Sequence, residues 1–373
     1  MSDSDSAALR DLFDTAAGFV ESGELPSIQV AVARDGEIVR GATFGAANDA
    51  LFVSYSITKA ITSSLIWLLV QDGALSYDNP VSTWIPAFAR DGKHVITLRH
   101  LLTHTAGLPE AAFHALDFDD PGRRDERFDS WSLEWAPGSR YTYHRASAMW
   151  ALAEVIRVVT GATHREFFQN RVAGPLGLAD AFLGSTVEAP IPHERVAMVE
   201  HVGTGLTPEE QEMMGLKLSF LGPEYERYLS LYNRPDVRDV GAPGAGCITS
   251  AASIALFYQG LLGRRERIWS ADTLGEALSL QTGDLADPMT GRQAHRGLGV
   301  VLSGDDERIF RGFAPSHSPH AFGHPGIGGQ VAWADPASGI SFCLLTSGLE
   351  RNPLQLGMRG LQLSEAAATL RAQ

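Results

Sequence analysis

A serine and a lysine lie three positions apart at the start of an apolar stretch, YSITKAITSSLIWLLV, at residues 55–70. Residues three apart on a helix share a face, so Ser56 and Lys59 can reach each other. A serine hydroxyl needs a base to act as a nucleophile at neutral pH. A lysine can be that base when burial or a neighbouring positive charge lowers its pKa. The helix N-terminus would also favour negative charge developing near the serine. The spacing therefore predicts Ser56 as nucleophile and Lys59 as its base.

The surrounding pattern predicts the elements that hold this pair. Apolar residues recur at helical spacing through 57–69, which indicates a buried helix. Two β-rich runs within 27–44 flank Asp35-Gly36, a dipeptide typical of a tight hairpin turn. The sequence also predicts an N-terminal helix, helices at 98–104, 145–160, 164–172 and 248–263, and a closing helix at 352–371. Ser250 is a possible N-cap of the helix at 248–263. Strands are predicted at 297–302, 329–335 and 340–347.

This order of elements predicts an α+β fold with two parts. The first and last groups of strands should share one antiparallel sheet flanked by helices. That sheet part would comprise residues 1–85 and 241–373, interrupted by a mainly helical part at 86–240. We expect the ligand site in the cleft between the two parts, where the helix of Ser56 begins.

Composition narrows the function classes. The chain has 373 residues, 44% of them hydrophobic, and a formal net charge of −14. Because no basic stripe is present, neither nucleic acid nor an anionic membrane is an expected partner.

The first residues lack the pattern of a signal peptide, and we expect Cys247 and Cys343 to be buried free thiols. These features predict a soluble cytoplasmic protein.

Six further segments accompany the Ser56-x-x-Lys59 motif, and together they resemble the serine β-lactamase and penicillin-binding-protein superfamily. The resemblance is to its class C β-lactamase-like branch, which includes the family VIII carboxylesterases, and it runs from about residue 8 to 350. The segments are LSYDNPVSTWIP (75–86), ITLRHLLTHTAGLP (96–109), APGSRYTYHRASAMWALAEVIRVVTG (136–161), AGPLGLADAFLG (173–184), GAGCITSAASIALF (244–257) and FGHPGIGGQVAWADP (322–336).

The resemblance implies roles for further residues. Tyr143 occupies the tyrosine position of the second family motif, where it would shuttle the proton between nucleophile and leaving group. The backbone N–H groups of Ser56 and Ile327 would form the oxyanion hole. Gly326, in the third motif, would let substrate approach the backbone closely. His144, beside the tyrosine, is also expected to be a substrate-binding residue.

The sequence departs from the family pattern at two positions. The second motif lacks its asparagine and reads Tyr143-His144-Arg145, and the third motif has His324 where a lysine is usual. His324 can donate a hydrogen bond but is mostly neutral at pH 7, and we expect it either to contact the substrate or to tune Tyr143. The family's lysine helps attract the carboxylate of β-lactams, so its loss favours neutral esters.

We therefore predict a serine hydrolase of small carboxylic esters, of the family VIII type, that uses an acyl-serine intermediate and needs no metal or cofactor. A β-lactamase or D-alanyl-D-alanine peptidase is the main alternative. A transacylase or amidase of small-molecule metabolism is another. A non-catalytic penicillin-recognising binding module is disfavoured, because it would not need Ser56, Lys59 and Tyr143 together. The oligomeric state stays open.

Other interpretations are weaker. No G-x-S-x-G motif of an α/β-hydrolase is present. His317, His320 and His324 cluster in sequence, but no partner zinc motif accompanies them. His100 and His104 are interpreted as structural. The segment 185–240 is either a partial lid over the acyl pocket or ordinary helical packing, and the sequence favours neither.

Overall fold

The computed structural model describes residues 3–213 and 223–370. The helices, in chain order, are α1 (Asp3–Glu21), α2 (Thr58–Gln71), α3 (Leu98–Leu102), α4 (Pro121–Asp129), α5 (Ser147–Thr160), α6 (His164–Phe168), α7 (Gly174–Leu176), α8 (Pro208–Met213), α9 (Pro223–Ser230), α10 (Pro235–Val240), α11 (Ala251–Leu261), α12 (Ala271–Ala277) and α13 (Pro353–Ala368). The strands are β1 (Ile28–Arg34), β2 (Glu37–Phe44), β3 (Phe52–Val53), β4 (Ala181–Phe182), β5 (Glu200–Val202), β6 (Ile248–Thr249), β7 (Val301–Leu302), β8 (Phe322–Gly326), β9 (Gln330–Asp335), β10 (Ile340–Thr346) and β11 (Gly348–Glu350).

The main sheet joins the two ends of the chain. Its strand order is β2-β1-β10-β9-β8-β7, and every neighbouring pair is antiparallel. The predicted hairpin is confirmed: Asp35 and Gly36 both have positive φ, at 52° and 83°, as a primed turn requires. The predicted α+β fold, with an antiparallel sheet flanked by helices, is therefore confirmed.

Helices cover both faces of this sheet. α1 and α13 pack together on one face, and α11 packs against β1, β2, β9 and β10 on the other. Strand β1 shows the alternation that makes this possible. Val30 and Val32 join the apolar cluster under α1, whereas Ala31 and Ala33 join the larger cluster on the opposite face. Strands β1, β9 and β10 are thus the buried centre of the sheet, whereas the edge strand β2 is partly exposed.

The mainly helical segment 86–240 lies against α2. Helix α2 contacts α5 and α6, and all of its residues from Thr58 to Leu69 are buried. The larger apolar cluster runs without a break from α2 into α5 and α11. The division of the chain at residues 85 and 240 into two domains stays a prediction.

Several predicted boundaries are wrong. Only Val301 and Leu302 of the segment 297–302 form a strand. The preceding residues turn instead, because Gly299 has φ +90° and a Cβ there would lie 1.9 Å from Ser63 Oγ of α2. The helix expected over 164–172 is α helical only to Phe168, and a π-helical turn follows at Gln169–Ala173.

Other predictions about single residues hold. Ser250 caps α11, where its side chain accepts a hydrogen bond from Ser253 N. Cys247 and Cys343 are buried free thiols, as expected. Within residues 3–213 and 223–370, no helix is both long enough and apolar enough to cross a membrane.

Candidate active site

Ser56 is presented by a strained turn at the start of α2. It lies in a 3₁₀ turn, Tyr55–Ile57, that leads directly into the helix. Tyr55 has φ +45°, a conformation that costs about 1–3 kcal/mol for a residue with a side chain. Its buried ring is fixed by a hydrogen bond from its hydroxyl to Leu229 O (3.2 Å) and by an edge contact with Tyr232. Ser56 itself is half-buried, whereas its neighbours from Leu51 to Ala60 are buried.

Lys59 lies one turn further along and is fully buried. Its Nζ is 3.3 Å from Ser56 Oγ and donates a 2.8 Å hydrogen bond to Gly244 O. Burial and, as a smaller contribution, the positive charge of Arg296 together lower its pKa from 10.5 to about 7. A lysine that is half neutral at pH 7 can accept a proton from the adjacent serine.

Tyr143 is the third group at this point. It forms a hydrogen bond with Ser56, and its ring centroid is 5.0 Å from Lys59 Nζ. Burial raises the pKa of Tyr143 to about 12, although the bond to Ser56 and the charge of Arg296 oppose the increase. Tyr143 is therefore a neutral phenol at pH 7, able to donate a proton, while Lys59 is the group able to accept one.

Two histidines pack against Tyr143 as uncharged rings. The ring centroids of His104 and His324 are 4.8 and 6.0 Å from that of Tyr143. Burial, followed by the charge of Arg296, holds the pKa of each histidine well below its usual range. Neither histidine therefore adds a positive charge to the site at neutral pH.

The tautomer of His324 corrects one expectation. Its Nδ1 lies 2.7 Å from Pro325 O. Because a carbonyl oxygen only accepts, Nδ1 carries the proton and Nε2 is left as an acceptor. Nε2 is buried and has no hydrogen-bond partner within the described residues. The donation to substrate that the sequence suggested is not available to the neutral ring.

The expected substrate contact from His144 is also not offered by the structure. Its ring is fully buried, with Nε2 accepting from Leu108 N (3.0 Å) and Nδ1 donating to Thr142 O (2.6 Å). Both ring nitrogens are therefore used by the backbone beneath the site. His144 holds the loop that carries Tyr143 and does not reach into the cleft.

The end of β8 closes the other side of the site. Gly326 packs so tightly that a Cβ there would lie 2.8 Å from Ser54 O, so this glycine sets how closely the strand approaches the nucleophile turn. Ile327 follows it and lines the same cavity as Ser56. The oxyanion-hole role of the Ser56 and Ile327 N–H groups stays a proposal.

The cavity above Ser56 is large and partly aromatic. Its volume is about 660 Å³, enough for a small organic ligand. Its aromatic walls come from Tyr55, Phe113, Tyr225 and Tyr228. Arg145 stands at the position of the missing asparagine and pairs with Glu110 at the same wall.

Two groups at this site were missed by reasoning from sequence. Gly244 O binds Lys59 Nζ, and Arg296 places its guanidinium carbon 5.5 Å from the ring centroid of Tyr143. The segment that contains Gly244 resembles a family segment but gives no sign of a bond to Lys59, and no local pattern marks Arg296. Both come from parts of the chain far from Lys59 in sequence.

A metal site is not formed by the described residues. Among them, no group of three or more histidine, cysteine, aspartate or glutamate side chains is arranged to hold a metal ion. His317, one of the three histidines that cluster in sequence, packs edge-on against Trp333.

The beta-lactamase family model matches residues 12–367. The chain belongs to the beta-lactamase family. Esterase EstB of Burkholderia gladioli is 29% identical over 357 residues, which cover 85% of this chain and 84% of EstB. The resemblance predicted from the motifs is therefore confirmed.

Solved structures show the same fold. EstA from Arthrobacter nitroguajacolicus Rue61a superposes with a TM-score of 0.79 at 24% identity, covering 97% of this chain and 96% of EstA. A family VIII carboxylesterase superposes with a TM-score of 0.75 at 24% identity, covering 96% of each chain.

Proposed function

We propose that this protein is a serine carboxylesterase that hydrolyses small carboxylic esters through an acyl-serine intermediate. The observation that carries the proposal is the fully buried Lys59, whose Nζ lies 3.3 Å from Ser56 Oγ and whose pKa is lowered to about 7. A buried charge of this kind is costly for a structural residue and useful for a base.

In acylation, Ser56 Oγ attacks the ester carbonyl and its proton passes to Lys59. The carbonyl oxygen becomes negative and is held by the N–H groups of Ser56 and Ile327. When the intermediate collapses, the bond to the alkoxy oxygen breaks and Tyr143 gives that oxygen its phenol proton. Lys59 then returns a proton to Tyr143, so the released alcohol carries the phenol proton of Tyr143 and both Lys59 and Tyr143 regain their starting protonation states.

Deacylation repeats the same proton transfers with water in place of serine. Lys59 accepts a proton from water as the water oxygen attacks the acyl-serine carbonyl. The bond to Ser56 Oγ then breaks, and Ser56 is protonated again through Tyr143 and Lys59. The products are the free acid and the unchanged enzyme.

Two features favour esters over β-lactams. His324 is an uncharged ring at the motif position where the family's lysine would help attract a β-lactam carboxylate. Arg145, at the place of the usual asparagine, is neutralised by Glu110. Among relatives, EstB carries the name esterase, and a neighbour of this fold is titled a family VIII carboxylesterase.

We propose a small-molecule ester as the partner and the cytoplasm as the location, which cell fractionation would test. The lid over the acyl pocket falls partly outside the described residues. Within them, α9 supplies Tyr225, Tyr228 and Leu229 to the cavity wall, which supports a role for this helix in selecting the acyl group.

The test is a comparison of initial rates on p-nitrophenyl acetate, butyrate and octanoate with a chromogenic cephalosporin. We expect ester turnover that Ser56→Ala and Lys59→Ala each lower by at least about 10³-fold. Lys93→Ala is the matched control, because Lys93 is another buried lysine that donates to a backbone carbonyl, far from Ser56. Faster turnover of the cephalosporin than of every ester would instead support the β-lactamase alternative.

A further inference from the structure

Arg296 is a fixed cation beside the catalytic groups that neither the motifs nor the proposed mechanism uses. Its backbone is held on both sides, since Arg296 N donates to Thr282 Oγ1 (3.2 Å) and Arg296 O accepts from Gln281 N (2.8 Å). From this anchor its guanidinium carbon lies 5.5 Å from the ring centroids of both Tyr141 and Tyr143. Cations at such distances are attracted to the faces of aromatic rings.

The positive charge of Arg296 is not cancelled by a neighbouring acid. Within residues 3–213 and 223–370, no carboxylate oxygen lies within 4.0 Å of a guanidinium nitrogen of Arg296, which is the limit for an ion pair. Asp287 is the acidic group that acts on the neighbouring Tyr141. The guanidinium of the half-buried Arg296 therefore acts on the site without an ion-pair partner, beside buried groups where screening by solvent is weaker.

The groups around this charge come from four parts of the fold. Lys59 faces it from α2, His104 from the end of α3, Tyr143 from the loop before α5 and His324 from β8. At each of these groups the charge of Arg296 opposes the protonated form. The third motif has no lysine here, so Arg296 is the permanent cation among these groups within the described residues.

We propose that Arg296 is a positioning residue for the acyl-transfer site: its guanidinium braces the Tyr143 ring and supplies a fixed positive charge that, together with burial, favours the neutral, proton-accepting form of Lys59. This inference rests on the proposed esterase function. It assigns to Arg296 an electrostatic task on Lys59 and Tyr143, and it requires no contact between Arg296 and substrate.

The experiment is the pH dependence of kcat/KM for p-nitrophenyl butyrate between pH 5.5 and 9.5. Arg296→Gln removes the charge, so Lys59 holds its proton more tightly and the acidic limb of the profile moves to higher pH. Each unit of that shift lowers the rate at pH 6 by about tenfold, while the rate at pH 9 falls less. Arg296→Met serves the same purpose if the glutamine variant fails to fold.

Two further variants separate charge from packing. Arg296→Lys keeps a positive charge and should restore most of the wild-type profile. Arg292→Gln is the matched control, because Arg292 also lies over an aromatic ring, that of Phe310, four residues earlier in the same segment. We expect its profile to coincide with that of the wild type.

The inference is overturned if Arg296→Gln lowers kcat/KM by the same factor at every pH, or if the lysine variant shifts the limb as far as the glutamine variant. A change confined to KM for esters with an anionic acyl group would also overturn it, and would make Arg296 a substrate-binding residue. Failure of the proposed function looks different: the wild type itself would show no ester turnover that depends on Ser56.

Discussion

The buried Lys59 should lower the stability of the fold that it serves, so replacing it with methionine should stabilise the protein while abolishing turnover. Methionine is unbranched and flexible and can fill the space of the lysine side chain. In the unfolded chain Lys59 is protonated below pH 10.5, whereas in the fold its pKa is about 7. Folding must therefore either release this proton or bury the charge, and both processes cost free energy.

The size of this cost follows from the two pKa values. At about 1.36 kcal/mol per pKa unit, the lysine costs about 4 kcal/mol at pH 7. Methionine removes this cost but leaves Gly244 O without its 2.8 Å partner, at about 1–3 kcal/mol. The net gain is about 1–3 kcal/mol, which for a chain of this length raises Tm by roughly 1–4 °C.

The stability that Lys59→Met gains over the wild type should depend on pH. The cost of Lys59 is fully present below pH 7 and disappears as the pH rises toward 10.5, where the unfolded lysine also loses its proton. The stability advantage of Lys59→Met over the wild type should therefore shrink by about 2–3 kcal/mol between pH 6 and pH 9. Urea unfolding followed by tryptophan fluorescence at both pH values measures it.

A control variant tests whether the loss of turnover is specific to Lys59 or follows from the removal of any buried lysine. Lys93 is also buried and donates to Trp131 O (2.6 Å), away from the site. Lys93→Met should leave ester turnover close to that of the wild type. The reasoning about Lys59 is refuted if Lys59→Met unfolds at lower urea concentration than the wild type at pH 6 and the difference is the same at pH 9.

Three other predictions follow from single features of the structure. The wild-type kcat/KM should rise with pH through an apparent pKa near 7, that of Lys59; a rate that stays level down to pH 5 would contradict this assignment. Gly299→Ala should destabilise the fold by about 3 kcal/mol or more, because its φ is +90° and a Cβ would overlap Ser63 Oγ, whereas Gly275→Ala, inside α12 with open space around it, should stabilise by about 0.5–1 kcal/mol in urea unfolding. Tyr228→Ala should enlarge the cavity and raise the octanoate-to-butyrate rate ratio several-fold; an unchanged ratio would show that Tyr228 does not limit the length of the acyl group.

Much of the fold could be predicted from the sequence because its signals are local. The Asp35-Gly36 turn and the Ser250 cap are set by residues next to each other in the chain. The pairing of Ser56 with Lys59 is equally local, since one helical turn fixes it. The motif resemblance then ordered these elements into one fold.

The rest depends on contacts between distant parts of the chain. The sequence at 297–302 has the composition of a strand, yet contact with α2 at Gly299 imposes a turn. His144 follows the catalytic tyrosine, but the direction of its ring is decided by Leu108 N on another loop. Arg296 acts on Lys59 only because the folded chain brings the two together, and no spacing rule could have found it.

The central claim is that an ester acylates Ser56. Rapid acid quenching of the enzyme with p-nitrophenyl butyrate, followed by peptide mass spectrometry, tests it most directly. The account predicts one butyryl group on the peptide that contains Ser56, and none in Ser56→Ala. Ester turnover by the wild type with Ser56 unmodified and the acyl group on another residue, or with turnover retained in Ser56→Ala, would contradict it.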